Sequence, residues 1–340
     1  MRPGPAAALV SLMLLSSCGG DGPGTVTLLT HESFDIGQDV LAEFTADTGW
    51  EVEVLTGGDA GQVLNQAILA AGNPVADVLF GVDNTFLSRA LHADLFEPYR
   101  SPGISVVAPE LDLDEHVTPI DFGDVCINID RAAFDDPPDT LEDLTRPEYR
   151  GKLVVENPAS SSPGLAFLLA TVAHFGEEGP YTWRDYWEDL RANDVAVTAG
   201  WEDAYYGVFS GGSGSGDRPL VVSYASSPPA EVVFAAEPPQ EAPTTVLAAG
   251  CFRQIEFAGV LRGADEPDGA RALIDFMLGR DFQEDIPLRM FVFPASTEAA
   301  LPQVFLDHTA VPDDPVLMSP DLMEANRERW IREWTEIVLR

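Results

Sequence analysis

The chain has 340 residues, of which 45% are apolar and 9% aromatic, so it is long enough for two domains with sizeable cores. It carries 19 basic and 56 acidic side chains, a formal net charge of −37, and Lys152 is its single lysine. A surface of this sign repels nucleic-acid phosphates and anionic lipid headgroups. The composition therefore excludes a nucleic acid as partner and is compatible with a cationic small ligand.

The amino-terminal segment, residues 1–17, is typical of a bacterial lipoprotein signal peptide. Its apolar stretch, Ala6–Leu15, is shorter than the roughly 20 residues of a membrane-spanning helix. The sequence Leu15-Ser16-Ser17-Cys18 resembles a lipobox, in which the cysteine becomes lipidated, and residues 18–24 read as a glycine-rich tether. We expect an extracytoplasmic protein, in the periplasmic space or on the outer face, that touches the membrane only through lipid on Cys18. An ordinary cleaved signal with a chance cysteine is the alternative.

Cys126 and Cys251 are the cysteines that remain after lipidation of Cys18. Two cysteines in an oxidising compartment are more often paired than free. A disulfide between them is one hypothesis. Two buried free thiols are the alternative, because the sequence does not show that the side chains meet.

Strands and helices alternate along the first part of the mature chain. Alternating apolar residues indicate strands, and apolar residues three or four apart indicate helices. In chain order these patterns predict a strand at 25–30, a helix at 36–48, a strand at 50–55, a helix ending at 71, a strand at 77–81 and a helix at 84–91. Such alternation predicts an α/β fold with a parallel sheet.

A long strand at 120–129, with no helix before it, interrupts this pattern. A second α/β set follows, with strands at 153–155, 195–198 and 220–223 and helices at 163–175, 181–192 and 201–209. The remaining predicted elements are strands at 244–249 and 252–260 and helices at 268–278, 280–286 and 321–339.

The long strands indicate that the chain leaves one domain and later returns to it. We predict lobe one from residues 25–121 and 253–340, and lobe two, including the hinge strands, from residues 122–252. Cys126 and Cys251 lie at the two crossings, so a disulfide there would tie the hinge strands together.

The sequence contains no motif of a known catalytic or cofactor site. Its five histidines lack metal-ligand spacing, and it has no nucleophile elbow, no phosphate-binding glycine loop and no dinucleotide fingerprint. Carboxylates are so frequent that pairs of them carry no information. We therefore expect a protein that is not an enzyme and that uses no cofactor and no metal.

Polar and aromatic residues gather where predicted strands end, which is where open α/β sheets bind ligands. Ser160, Ser161 and Ser162 precede an apolar helix, so their hydroxyls and free amides suit a phosphate or another polar group. Helix capping alone explains the serines equally well. Trp201, at a strand-to-helix turn, is either a core residue or a stacking face. The other candidates at strand ends are His31, Glu32, Ser33, Asp83, Asn84, Tyr205, Tyr224 and Ser226.

Eight short blocks follow the order of motifs found in one known family, and the similarity spans roughly residues 25–334. The blocks are THESF at 30–34, GVDN at 81–84, DFGD at 121–124, NPASSSPGL at 157–165, GWEDAY at 200–205, SYASSP at 223–228, QIE at 254–256 and MFVFP at 290–294. Together they resemble the thiamine-binding solute-binding proteins of bacterial ABC importers.

This resemblance implies a hinged, two-lobed fold of the type II periplasmic-binding-protein class, in which each lobe is a sheet flanked by helices. It also implies capture of thiamine or a thiamine phosphate, followed by delivery to an ABC permease and its ATPase. By family analogy Trp201, Tyr224 and Phe291 line the pocket, and Ser161 holds the hydroxyl or phosphate end of the ligand. The first-lobe wall is then formed by His31, Glu32 and Asp83.

Three positions depart from the family pattern. His31 and Ala230 stand where members have a tyrosine, the second of these in some members only, and Phe291 stands where a tryptophan is common. The loss of aromatic area leaves another small heterocycle open as the ligand. The tandem Tyr205-Tyr206 leaves a ferric-iron-binding protein of the same fold as the alternative, since iron-binding relatives use adjacent phenolates.

Overall fold

The computed structural model describes residues 24–340, so the predicted signal peptide and Cys18 lie outside the described residues. Nine strands form one mixed sheet in the order β2-β1-β3-β8-β4-β7-β5-β6, and β9 pairs with β4 outside this path. The strands are β1 (Thr25–Thr30), β2 (Glu51–Thr56), β3 (Val78–Asp83), β4 (Thr118–Asp130), β5 (Leu153–Glu156), β6 (Ala196–Thr198), β7 (Leu220–Tyr224), β8 (Thr244–Val260) and β9 (Phe293–Pro294).

Ten α-helices lie within residues 24–340. They are α1 (Gln38–Thr48), α2 (Ala60–Leu69), α3 (Leu87–His92), α4 (Ser162–Phe175), α5 (Trp183–Ala192), α6 (Pro228–Val233), α7 (Pro267–Met277), α8 (Arg280–Arg289), α9 (Gln303–His308) and α10 (Pro320–Val338). A π-helix spans Asp203–Val208, and short 3₁₀ helices lie at Pro102–Val106, Pro109–Leu111, Arg131–Ala133, Glu142–Thr145 and Pro147–Tyr149. Within this part of the chain, none of the helices is long and apolar enough to cross a membrane.

The sheet consists of two parallel halves joined by two long antiparallel strands. In lobe one β1 runs parallel to both β2 and β3, and in lobe two β5 runs parallel to both β6 and β7. Strand β8 pairs antiparallel with β3 on one side and with β4 on the other, and β4 pairs antiparallel with β7. The chain therefore passes twice between the lobes through β4 and β8. The boundaries at residues 121 and 253 stay a prediction.

Buried apolar residues fill the interior of both lobes. All six residues of β3 are buried, as expected for a central strand covered on both faces. Eleven consecutive residues of α4, Ser162–Val172, are also buried. These eleven residues are apolar on nearly all sides because none of them is exposed to water.

Strand β8 differs from its prediction as two separate strands. The structure has one continuous strand, and its pairing with β4 jumps from Val125 opposite Phe252 to Ile127 opposite Leu247. Gly250, at φ +71°, lies in the bulged segment between these pairs. Gly250, which lies in the gap between the two predicted strands, therefore marks a β-bulge, where one strand bends without ending.

Two features connect the lobes besides the strand pairing. A disulfide joins Cys126 of β4 to Cys251 of β8, with the Sγ atoms 2.07 Å apart, at the crossings considered in the sequence analysis. Helix α10 packs Trp334 against Trp187 of α5 in lobe two, with ring centroids 5.5 Å apart. From the same helix Arg327 donates to the carbonyl of Thr85 in lobe one at 3.1 Å. The carboxy-terminal helix thus contacts both lobes, although its sequence position groups it with lobe one.

Candidate functional site

A cavity of about 310 Å³ lies between the lobes, beyond the carboxyl ends of β1 and β7. Its size is suited to a small organic molecule. Lobe one contributes the residues after β1, the loop that begins α2 and the chain between α8 and β9. Lobe two contributes the start of α4, the π-helix and the segment that begins α6.

Eight of the thirteen predicted ligand residues line this cavity. They are His31, Glu32, Ser33, Ser162, Trp201, Tyr205, Tyr224 and Phe291. The three positions that depart from the family pattern, His31, Ala230 and Phe291, all lie on the cavity wall.

Asp83 and Asn84 follow β3 but do not line the cavity. Oδ1 of Asp83 accepts hydrogen bonds from the Thr85 amide and hydroxyl, at 3.0 and 2.7 Å, and so fixes the turn into α3. The side-chain nitrogen of Asn84 donates to the carbonyl of Arg253 at 3.0 Å, and its Oδ1 accepts from the backbone amide of Ile255 at 3.1 Å. Both side chains are thus bonded to the turn or to β8, away from the ligand space.

Three predicted serines also lie off the cavity wall. The Ser160 hydroxyl donates to the carbonyl of Ala199 at 2.6 Å, while Ser161 and Ser226 are fully buried. Ser162 alone of the serine run reaches the cavity.

Trp201 forms an aromatic wall on lobe two. Its ring stacks on Tyr205 with centroids 4.9 Å apart and planes 23° apart, and its indole N–H donates to the Ser223 hydroxyl at 2.9 Å. The side chain packs against the apolar cluster around Val154 and Phe209 and also lines the cavity. Trp201 thus both packs against the core and forms part of the cavity wall, and its role as a stacking face for a ligand stays a prediction.

Phe291 lines the cavity from the chain that follows α8. Its backbone adopts the left-handed conformation, φ +54°, which is uncommon for any residue except glycine. Its ring meets Phe234 edge to face at 5.5 Å, and Phe234 is otherwise 69% exposed. Strained backbone of this kind clusters at ligand sites, where packing holds a side chain in place.

The charged side chains of the wall are predominantly acidic. Burial, with the nearby carboxylates Asp59 and Glu202, raises the pKa of Glu32, and burial also raises the pKa of Glu202. Glu256 and Asp35 add to this set, whereas the cationic groups on the wall are Arg289 and His31. Crowded carboxylates repel one another, so a cation placed among them is stabilised.

His31 forms an ion pair with Glu256, whose Oε1 lies 3.3 Å from Nε2. Burial lowers the pKa of His31, but the Glu256 carboxylate more than offsets this, and the pKa of His31 is raised overall. Glu256 lies opposite Asp83 on β3 and Asp121 on β4, so three adjacent strands carry three carboxyl groups side by side. Burial and the charge of Glu256 raise the pKa of Asp121 well above its usual range, and burial raises that of Asp83 to about 7.

Hydrogen bonds cross the cavity between the lobes. Asp59, at the start of α2, accepts from the amide of Trp201 at 3.0 Å and from the amide of Ser162 at 3.2 Å. The Ser33 hydroxyl donates to Glu202 at 2.9 Å. The two walls are therefore in direct contact around the ligand space.

The tandem tyrosines are both protonated phenols at neutral pH. The Tyr205 hydroxyl donates to Glu231 at 2.7 Å, and burial, together with that carboxylate, raises its pKa well above the usual range. Burial raises the pKa of Tyr206 to about 12. Among residues 24–340 no three histidine, cysteine or acidic side chains are grouped so that they could hold a metal ion.

Several wall residues were not among the predicted ligand residues. Asp59 and Glu202 adjoin predicted segments, and the position of Asp59 between β2 and α2 is a strand end that the same reasoning could have included. No comparable signal marks Phe234 or Arg289, because they reach the wall only through the packing of α6 and α8.

Comparisons with known proteins agree with this architecture. A family model described as bacterial extracellular solute-binding protein matches residues 73–313. A thiamine-binding periplasmic protein from Salmonella typhimurium is 28% identical over 97% of this chain and 98% of its own length. One from Brucella suis is 29% identical over 91% of both chains.

Solved structures show the same fold. A periplasmic thiamin binding protein matches with a TM-score of 0.83 and 26% identity, over 93% of this chain and 96% of that one. Iron-bound HitA from Pseudomonas aeruginosa matches with a TM-score of 0.71 and 19% identity, over 93% and 99% of the two chains, a likeness of fold alone. The predicted fold class, α/β with two hinged lobes of the type II periplasmic-binding-protein class, is confirmed.

Proposed function

Because the chain belongs to the family of bacterial extracellular solute-binding proteins, we propose that its inter-lobe cavity captures thiamine or a thiamine phosphate. The observation that carries this proposal is the aromatic face of Trp201 in a cavity whose ionisable side chains of Asp, Glu, His and Arg are mostly carboxylates. Thiamine has a cationic thiazolium ring, which both aromatic faces and carboxylates attract. The thiamine-binding names of relatives aligned along nearly the whole chain support the same ligand.

Loss of aromatic area at three positions does not leave the cavity without aromatic walls. Phe291 keeps an aromatic ring where a tryptophan is common, and Phe234 meets that ring at the same wall. His31 takes the place of a tyrosine and is held by Glu256. These contacts support retention of a flat heterocyclic ligand.

The proposal extends to the route of transport. The lipobox at 15–18 supports lipidation of Cys18, and membership of the solute-binding family supports delivery of the captured ligand to an ABC permease and its ATPase. We expect the wild-type protein to incorporate labelled palmitate and a Cys18→Ala variant to incorporate none. Labelling that persists in the variant would contradict anchoring at this residue.

Ferric iron is the second candidate ligand, favoured by the adjacent tyrosines and by iron-binding proteins of the same fold. The hydrogen bond from Tyr205 to Glu231 opposes it, because an iron ligand must be a free phenolate.

Isothermal titration calorimetry of the purified protein with thiamine and with ferric citrate separates the two candidates. We expect submicromolar affinity for thiamine and no heat of binding with ferric citrate. A visible charge-transfer colour that chelators remove, without thiamine binding, would overturn the thiamine proposal.

A further inference from the structure

Two phenylalanine rings meet across the lobes at the edge of the cavity. Phe234 follows α6 in lobe two, and Phe291 lies on the lobe-one side, between α8 and β9. Both residues line the cavity, and their ring centroids are 5.5 Å apart with the planes at 66°. Edge-to-face packing of this kind is favourable for two aromatic rings. The contact therefore joins one lobe to the other beside the ligand space.

Packing of the protein core does not account for this pair. The apolar core clusters found within residues 24–340 include neither Phe234 nor Phe291. Phe234 is 69% exposed, so it lies where the cavity meets solvent, whereas Phe291 is only 8% exposed. The left-handed backbone of Phe291, at φ +54°, costs free energy and persists only where its surroundings hold it. These features indicate a role at the mouth of the cavity.

The small side chain of Ala230 gives Phe234 access to the wall. The amide of Phe234 donates to the carbonyl of Ala230 at 2.9 Å, so the two residues lie one helical turn apart. A side chain on a helix leans towards the amino-terminal end of that helix, so the ring at 234 extends over residue 230. Ala230 also lines the cavity. The aromatic area that is absent at Ala230 is thereby supplied from the next turn.

We propose that Phe234 and Phe291 form a closure contact, which shuts the mouth of the cavity over a flat heterocyclic ligand and slows its release. The rings belong to different lobes, so they meet when the lobes are together and separate when the lobes part. Phe234 is thus a positioning residue that acts through Phe291. The inference rests on the proposed function, since it assumes that the cavity binds thiamine. Because the contact forms after the ligand has entered, its loss changes dissociation more than association.

The test compares thiamine release from the wild-type protein and from Phe234→Ala. Release of radiolabelled thiamine into an excess of unlabelled thiamine gives the dissociation rate, and calorimetry gives the affinity, from which the association rate follows. We expect the variant to release thiamine roughly 5-fold faster, with an association rate within about 2-fold of wild type. The matched control is Val233→Ala, which shortens the neighbouring exposed side chain of α6, outside the cavity wall. Equal release rates in Phe234→Ala and this control would overturn the inference and leave the proposed function standing.

A double-mutant cycle tests whether the two rings act as a pair. We expect Phe234→Ala to speed release less than about 2-fold in a Phe291→Ala background, because the contact that it removes is already lost there. An effect of roughly 5-fold in both backgrounds would show that Phe234 acts without Phe291 and would overturn the closure contact. Melting curves establish that each variant is folded. If the wild-type protein binds no thiamine, the proposed function fails, and this inference fails with it.

Discussion

Trp201 joins the cavity to the interior of lobe two. Its ring stacks on the ring of Tyr205, and its indole N–H donates a hydrogen bond to the Ser223 hydroxyl. Because these contacts hold the ring without help from a ligand, its position on the wall is preorganised. A preorganised aromatic face loses little entropy when a cation binds.

Replacement of this ring tests its contribution. We expect Trp201→Ala to weaken thiamine binding by at least an order of magnitude, since a desolvated cation–π contact contributes ~2 kcal/mol. Trp201→Phe, which keeps an aromatic face, is expected to lose less. Calorimetry gives the affinities, and a melting curve for each variant checks the fold. Unchanged affinity in Trp201→Ala would remove this residue from the site.

Asp83 predicts a pH dependence of stability. Burial raises the pKa of its carboxyl from 3.8 to about 7, so the folded protein binds a proton that the unfolded chain has released. Between these two values stability therefore falls as the pH rises. In Asp83→Asn the bonds to Oδ1 are kept and this ionisation is absent.

We expect the melting temperature of Asp83→Asn to fall less than that of wild type as the pH is raised from about 4.5 to about 7.5. This range covers roughly the interval between the two pKa values of Asp83. Thermal unfolding in a buffer series at constant salt measures the difference. Parallel pH profiles for the two proteins would contradict the proton assigned to Asp83.

Reasoning from strand ends located part of the site because carboxyl ends of parallel strands share one edge of a sheet. It pointed to Trp201 and Tyr224, which line the cavity, but it could not state which way a side chain points. Asp83 lies at such an end and still faces the interior, bonded to Thr85. The bonds of Asp59 to lobe two depend on how the lobes meet, which no local pattern encodes.

Helix α2 approaches lobe two at a glycine. A Cβ atom on Gly61 would lie 2.7 Å from the carbonyl oxygen of Ser160, closer than carbon and oxygen can stand. The absence of a side chain thus lets the start of α2 meet the loop before α4. The contact is between backbone and backbone, so neither partner yields easily.

We therefore expect Gly61→Ala to weaken thiamine binding several-fold while leaving the melting temperature equal or higher. The melting temperature should not fall, because alanine stabilises a helix by about 1 kcal/mol relative to glycine. Binding should weaken, because the added methyl group clashes only where the two lobes approach each other. Gly207→Ala is the matched control, because a Cβ there meets nothing within 4 Å. Equal affinity for thiamine in the two variants would show that close approach at Gly61 is not required.

Most strands and helices could be predicted from the sequence, whereas α6, α9 and β9 were missed. Strand β1 has the predicted bounds, Thr25–Thr30, and α4 begins one residue before its predicted start. Helices α6 and α9 have six residues each, too few for a hydrophobic period to stand out. The segment predicted as a helix at 201–209 contains a π-helix at Asp203–Val208, a local widening that apolar spacing does not reveal.

At the scale of the whole molecule, the lobes are linked by paired strands, by one disulfide and by α10. The disulfide joins residues 125 apart in the chain. In the chain-entropy model, closing a loop of that length lowers the entropy of the unfolded chain. The free energy of unfolding rises by up to about 5 kcal/mol as a result. The crosslink lies on β4 and β8, the strands that pass between the lobes.

We expect the double variant Cys126→Ser/Cys251→Ser to melt about 5–15 °C below wild type, as does the reduced wild-type protein. Differential scanning calorimetry with and without reductant measures the shift, and peptide mapping of the unreduced protein establishes the bond. The double variant itself should not respond to reductant. A wild-type melting temperature that is insensitive to reduction, with both thiols free on mapping, would contradict the crosslink.

Order of motifs along the chain carried more information about the whole molecule than any single motif did. The short blocks resemble one family only when taken together, and the confirmed fold class follows from that order. The prediction that lobe one is built from two distant segments rested on two long strands. The contact of α10 with Trp187 of lobe two could not be foreseen, because an amphipathic helix does not encode which surface covers it.

The most direct test of the central claim is a crystal structure of the protein grown with thiamine. We predict ligand density in the inter-lobe cavity, with the thiazolium ring within about 6 Å of the Trp201 ring centroid and Asp59 still bonded to the Ser162 amide. Thiamine bound outside this cavity, or an empty cavity in crystals grown at saturating thiamine, would contradict the account.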